Sequence, residues 1–267
     1  LTTDHGLLTS HPSCMPSIAD VAGYLAGFAP ARLAAEWDNV GLLVGDRQSA
    51  VTSIMTCLTV TPDSVAEATR ERANLIVAHH PFPFRATKRI TTDTNEGRML
   101  LSLMAAGIAV YSPHTAFDSA AGGINQRLAE GLGLLNIAPL VAGHHDPAIG
   151  TGRYGATGGV QLGELARRCA AFLNIDGVQV VGKPSQAANQ VAIACGSGGE
   201  LLEAARQAGC DCFVTGETRF HTCLEAQAAG IALVLTGHYA SERFAVDALA
   251  ESLQREFLQV KCWASRR

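Results

Sequence analysis

Three places in the sequence group side chains of the kind that bind metals. His79 and His80 end the apolar run Leu75-Ile76-Val77-Ala78 and are followed by Pro81; His114 stands four residues before Asp118; His238 stands four before Glu242. Neutral imidazoles and carboxylates take divalent transition metals readily. A core does not welcome two adjacent imidazoles, and a surface turn has no need of them. Adjacent residues on an extended backbone point to opposite sides, so one compact mononuclear site has trouble using both histidines. Two ions about 3.5–4 Å apart, bridged by a carboxylate, would use one each. The expectation is two divalent metal ions per chain (Zn, Fe, Mn, Co or Ni), with Pro81 stiffening the turn that aims the histidine pair.

Other residues are candidates around such a centre. Arg85, Lys88 and Arg89 follow the histidine pair and would suit an anionic, phosphate-bearing small-molecule substrate. His114 and His221 are candidates to move protons. His221, with Glu217 nearby, follows a short apolar run at Cys212–Thr215 and could line the same cavity. His144-His145 sits in a Gly/Pro-rich stretch with no strand to position it and reads as exposed loop, and His5 and His11 lie near the start of the chain. The glycines of GTGRYG (150–155) make only a weak phosphate-binding loop, because no clear strand leads into them.

The elements that must bring these groups together alternate. A helix is expected from Ser17 to about Ala35, then a turn and short strand in WDNVGLLVGD (37–46) and a buried strand over 51–60. A helix opened by Pro62, the strand 75–78, a helix over about 96–106 and a strand over 108–112 follow. The last helix is expected to open at Ser241-Glu242-Arg243-Phe244. Such alternation signals a mainly parallel sheet flanked by helices. The second half repeats the first: 57–80 resembles 195–217, and AGIAVYSPHTAFD (106–118) resembles AGIALVLTGHYASE (229–242). The expected fold is therefore α/β, with two similar, duplicated halves and a metal site between them. Its divisions are a leader over 1–14, a first half over 15–138, a connection over 139–160 and a second half over 161–267. Strands of a parallel sheet deliver their carboxyl ends to one edge, where ligands bind, so the three clusters can converge.

Composition narrows the classes. The 267 residues are 48% apolar and 16% charged, which suits a well-buried globular chain. A formal charge of −4 gives no electrostatic case for nucleic acid. No apolar run approaches the roughly 20 residues of a membrane helix. The N-terminal stretch lacks the pattern of a secretory signal; Met15 is the suspected start, and the expected location is cytoplasmic. The eight cysteines are scattered and read as reduced, mostly buried thiols. The pair Cys210 and Cys212 is C-x-C, unlike redox or zinc C-x-x-C motifs.

The blocks WDNVGLLVGD, IVAHHPFPF, YSPHTAFD, GGINQRLAEGLGL and TGHYASER resemble the conserved blocks of the Nif-three-like proteins. That family is also described as dinuclear metal-centre hexameric proteins, or as type 2 homologues of GTP cyclohydrolase I. The resemblance runs from about Met15 to Ala264. It implies that His79, His80, Asp118, His238 and Glu242 are the metal ligands, and that His114 is a proton-transfer or supporting group near the metals. It also implies a toroidal homohexamer with the metal sites facing an internal cavity. The expected function is a metal-dependent hydrolase acting on a nucleotide or phosphate-containing substrate. The alternative is a non-catalytic metal-binding assembly that stores or delivers metal, or a regulatory partner of other proteins.

Overall fold

The first three helices of the chain start at side-chain caps, Ser17, Thr61 and Thr94. Ser17 Oγ accepts from the Asp20 N–H (3.2 Å) while Asp20 accepts from the Ser17 N–H (2.8 Å), closing a capping box at the start of α1 (Ile18–Phe28). Pro30 stops α1 short of the expected Ala35, and a single 3-10 turn takes up Ala31–Leu33. The structure, a computed structural model, describes residues 15–143 and 146–266. The expected leader with His5 and His11, and the pair His144-His145, lie outside the described residues.

The chain continues through β1 (Gly41–Val44), β2 (Ser53–Cys57), α2 (Pro62–Arg70), β3 (Leu75–Ala78), α3 (Asn95–Ala105) and β4 (Ala109–Ser112). Two short helices follow, α4 (His114–Ser119) and α5 (Ile124–Gly131). Then come β5 (Leu135–Ala138), the ribbon of β6 (Val141–Ala142) and β7 (Gly150–Thr151), β8 (Arg153–Gln161), α6 (Leu162–Leu173) and β9 (Gln179–Val181). The remainder is β10 (Ala187–Ala194), α7 (Leu202–Gln207), β11 (Cys212–Thr215), α8 (Phe220–Ala228), β12 (Ala232–Leu235), α9 (His238–Glu256) and β13 (Lys261–Ala264).

Two mixed sheets result. The first has the order β1-β4-β3-β2-β13, parallel except for β1; the second has the order β5-β8-β10-β11-β12-β9, with β10, β11 and β12 parallel. The central strands are apolar on both faces, as strands covered by helices must be. In the first sheet Ile54, Leu75 and Val77 pack with α1 and α9 (Val21, Leu25, Leu249), while Met55, Ile76 and Val110 pack with α2 and α3 (Val65, Leu100, Leu103). In the second sheet Val191, Ile193 and Val214 face α6, and Phe213 and Leu233 face α7 and α8. Phe244 of α9 touches the cores of both sheets, and its ring meets Phe172 of α6 at 5.2 Å.

The sheets cross the sequence division at 139–160. β5 is an edge of the second sheet, and β13 returns to pair parallel with β2 of the first. GTGRYG is no phosphate loop: it forms β7 and the start of β8, and Arg153 is buried. The Arg153 guanidinium donates to the carbonyls of Gly150 (2.7 Å), Gly152 (2.7 Å) and Ala120 (2.8 Å) and to Gln126 Oε1 (2.8 Å). No described helix is long and apolar enough to cross a membrane.

Candidate metal centre

β3, β4 and β12 end at one place, and each hands its next residues to it. His79 and His80 follow β3, with their N–H groups donating to Cys57 and Leu58 carbonyls (2.9 and 2.8 Å). His114 opens α4 and Asp118 lies four residues on. His238 opens α9 and Glu242 lies four residues on. Residues four apart share a helix face, so each helix offers an imidazole and a carboxylate together. Gly237 makes this possible before α9: its φ of +88° turns the chain so that the helix starts at His238, one turn earlier than Ser241.

The side chains converge. Glu242 Oε2 lies 3.1 Å from His80 Nε2 and 3.2 Å from His238 Nε2, and its Oε1 lies 3.7 Å from His79 Nε2. Asp118 Oδ1 lies 3.7 Å from the same His79 nitrogen. The His79 and His80 rings are 5.1 Å apart and both turn to this cluster. The strand has already ended at Ala78, so the opposite-sides rule does not splay them. Two sets of ligand atoms lie within 4.8 Å of one another, His79 with His80 and His114, and His80 with His238 and Glu242.

These groups fit divalent ions. Both ring nitrogens of His79 and Oδ1 of Asp118 are buried without a hydrogen-bond partner. Buried polar atoms left so are costly unless something else binds them. The other three imidazoles are oriented through Nδ1: His80 by Thr59 Oγ1 (2.7 Å), His114 by Asp38 Oδ1 (2.7 Å) and His238 by Glu217 Oε1 (2.9 Å). Each Nε2 is thereby left for a ligand, the arrangement metal-binding histidines usually have. Gly196, after β10, leaves the room Glu242 occupies: a Cβ there would come 2.3 Å from Glu242 Oε1.

Charge is finely set without ions. Burial pushes the Asp118 carboxyl up to about 6 against the pull of His79. Burial would raise Glu242 too, but the three histidines around it hold it far below the usual carboxylate range. His79 is raised: burial opposes its charged form, and the carboxylates of Asp118 and Glu242 outweigh it. Burial lowers His80, with Glu242 opposing. His238 is raised to about 9, chiefly by its hydrogen bond to Glu242, with burial opposing and Glu217 adding.

A cavity of about 480 Å³ opens over the cluster, with Trp37, His114, Asp118, Cys195, His238 and Glu242 in its wall. A larger one of about 790 Å³ lies on the Glu217 side of His238, among Glu203, Arg206 and Arg219, away from the other ligands. The sequence candidates divide accordingly. His79, His80, His114, Asp118, His238 and Glu242 come together. His221 does not: the first turn of α8 points it to solvent against Phe220 (5.9 Å). Arg85, Lys88 and Arg89 are exposed on the loop after the histidine pair and do not line the cavity. The described cysteines are free, and burial pushes the Cys195 thiol beside Asp118 and Glu242 well up.

Sequence reasoning missed the orienting groups. Asp38 is the clearest: its buried carboxylate also accepts from the Thr115 N–H (3.1 Å) and the Thr115 hydroxyl. It lies in the quoted block WDNVGLLVGD, where an acid between Trp37 and Asn39 was the available signal. With Thr115 it holds His114 at φ +28°, a left-handed conformation few non-glycine residues adopt.

Known proteins share this arrangement of sequence and fold. The profile of the Duf34/NIF3 (NGG1p interacting factor 3) family matches residues 16–267. A protein of Clostridium acetobutylicum called "GTP cyclohydrolase 1 type 2 homolog" is 33% identical over 239 residues, 89% of each chain. A Clostridium perfringens protein of the same description is 34% identical over 224 residues, 84% of this chain and 86% of its own. The crystal structure of a Bacillus cereus protein related to NIF3 superposes with a TM-score of 0.86 at 24% identity, covering 96% of this chain and 98% of that one. The chain belongs to the Duf34/NIF3 (NGG1p interacting factor 3) family.

Proposed function

We propose that the cluster holds two divalent ions, drawn from Zn, Fe, Mn, Co or Ni, and that the protein is a metal-dependent hydrolase. The observation that carries this reading is the convergence of His80, His238 and Glu242 with the orphaned atoms of His79 and Asp118. His79, His80, Asp118, His238 and Glu242 would hold the ions. Glu242 turns one oxygen to His79 and the other to His80 and His238, as a residue serving both ions would. Ions bound there would supply Lewis acidity and lower the pKa of water.

The chain's own groups divide the remaining work. His114 has Nδ1 committed to Asp38, so Nε2 is the nitrogen left to accept or return a substrate proton. Trp37 and the apolar residues Leu33–Ala35 line one side of the cavity. A nucleotide or other phosphate-containing substrate agrees with the description carried by the relatives; in that reading its anionic group would lean on the ions, since Arg85, Lys88 and Arg89 stand outside. The open cavity supports an enzyme over a storage site closed by its own ligands. We also propose a homohexamer acting in the cytoplasm.

The test is metal analysis by mass spectrometry on the wild type and on His79→Ala and His80→Ala, joined to a screen of metal-loaded protein against nucleotides and phosphoesters. Each variant should lose bound metal, and Glu242→Ala should abolish any activity found. Full occupancy in both histidine variants would overturn the dinuclear reading. Equal turnover by Glu242→Ala would remove that residue from the chemistry.

A further inference from the structure

We propose that Trp37 and Phe84 form an aromatic jaw that seats a planar heteroaromatic ring beside the cluster, and that the ligand carries no polyphosphate chain. The second half of this inference rests on the reading of the cluster as a metal centre; the jaw itself stands on its own geometry.

Trp37 is 64% exposed and Phe84 46% exposed, yet both rings pack on the same histidine. Trp37 lies 6.1 Å from Phe84 and 6.0 Å from His114, and Phe84 lies 6.3 Å from His114. Single exposed aromatics are ordinary. A touching pair pinned from beneath is not. Asp38 fixes the Trp37 segment to His114 and Thr115, the Ala35 N–H donates to Thr115 Oγ1 (2.9 Å), and Asn39 Nδ2 donates to the Pro83 carbonyl (2.9 Å). The last bond ties the two aromatic segments to one another. Rigid apolar faces held open to solvent are preorganised for a flat partner.

The cavity lined by Trp37 and His114, with Phe84 packed on both from outside its wall, selects further. Its volume of about 480 Å³ is that of a small-molecule site. Leu33, Ala34 and Ala35 supply an apolar wall, and Asp118, His238 and Glu242 a polar floor. No Lys or Arg is among the described residues lining it, whereas Glu200 is. A polyphosphate spreads its charge over several partners, cationic side chains or N–H groups as well as ions; around this cavity the chain would add to the ions only a further carboxylate, Glu200. A ring with one oxygen or nitrogen donor aimed at the ions fits the apolar wall and the floor together.

The chain has two tryptophans, so Trp263→Phe leaves Trp37 as the sole reporter. Hypoxanthine, xanthine and nicotinamide are titrated into metal-loaded and metal-free protein, with emission and calorimetry as readouts. Caprolactam (a lactam donor without an aromatic face) and inorganic triphosphate are the controls. Metal content is measured in every sample. At least one planar probe should quench Trp37 saturably, bind more tightly than either control, and weaken about 3- to 10-fold in Trp37→Ala and in Phe84→Ala by calorimetry. No quenching by any planar probe at millimolar concentration, wild-type affinity in either alanine variant, or tighter binding of triphosphate would overturn the proposal. Failure of the protein to bind any of the metals offered, with quenching retained, would sink the metal centre and keep the jaw.

Discussion

Replacing Gly196 by alanine probes the cluster through a single added methyl group. Gly196 has φ +65°, and a Cβ there would lie 2.3 Å from Glu242 Oε1 and 3.4 Å from His238 Nε2. Ordinary contact requires Oε1 to retreat by about 1 Å. Glu242 is only 4% exposed, so the carboxylate must move within packed surroundings. Its other oxygen stands 3.1 Å from His80 and 3.2 Å from His238, and a shift of that size in the carboxylate disturbs this geometry. The left-handed backbone alone costs an L residue about 1–2 kcal/mol. Gly209 isolates that cost, because it has φ +71° and nothing within 4 Å of the added Cβ. In urea unfolding of the metal-free protein, Gly209→Ala should lose about 1–2 kcal/mol and keep the wild-type affinity for Zn. Gly196→Ala should lose a further ~1–3 kcal/mol through the displaced carboxylate, and its Zn affinity in a competition titration should fall at least about 10-fold. Equal unfolding free energies for the two variants, or wild-type Zn affinity in Gly196→Ala, would refute the assignment of Glu242 as a shared ligand held in place by the missing side chain.

Three other outcomes are expected. Metal binding must release the proton that His238 holds up to pH about 9, so Zn affinity should climb as pH rises toward 9 and climb less steeply in His238→Gln; a parallel slope in both would show that His238 is not a ligand. Asp38→Asn should cost about 1–3 kcal/mol in unfolding free energy, since a buried carboxylate with four donors becomes an amide with one mismatched group, and should change the ring-nitrogen NMR signals of His114 while metal content stays at the wild-type level; unchanged His114 signals would count against the orienting role. Arg153→Lys should destabilise by about 2–4 kcal/mol, because a lysine cannot reach carbonyls that a planar fork serves from opposite sides; urea midpoints matching the wild type would show those bonds to be dispensable.

The parallel strands of the first sheet before β13, and the residue types that could hold a metal, were legible in the sequence because both depend on local signals. The apolar run at Leu75–Ala78 and the β-branched stretch around Ser53–Cys57 are buried strands, Ser17 caps α1, and Pro62 opens α2 as its first residue. The partners that orient the histidines were not legible. Asp38 reaches His114 across 76 residues and Thr59 reaches His80 across 21, and spacing carries no trace of such contacts. Nor does β13 announce that it will leave the second half and pair with β2. Basic residues after a histidine pair suggested an anion site, but a chain turn of a few residues decides whether Arg85, Lys88 and Arg89 face the cavity, and here they face solvent.

The two sheets explain why the cluster forms where it does. Each contains a β-α-β-α-β run, β2 to β4 and β10 to β12, with an antiparallel strand, β1 or β9, beside the third parallel strand. Each third strand is followed by a helix that begins on a histidine and carries an acid four residues later, His114 with Asp118 and His238 with Glu242. The repeated arrangement brings two imidazole–carboxylate pairs to the same place. The units differ at the end of the middle strand. The first has His79-His80; the second has Gly216-Glu217. A Cβ at Gly216 would lie 2.5 Å from the Gly196 carbonyl and 2.6 Å from Ser241 Oγ, and Ser241 Oγ in turn accepts from the Gly196 N–H (2.9 Å). A second histidine pair at that point would displace the contacts that seat His238 and Glu242. The second unit therefore gives its strand end to packing α9 and, through Glu217, to aiming His238, while the first unit supplies the additional imidazoles.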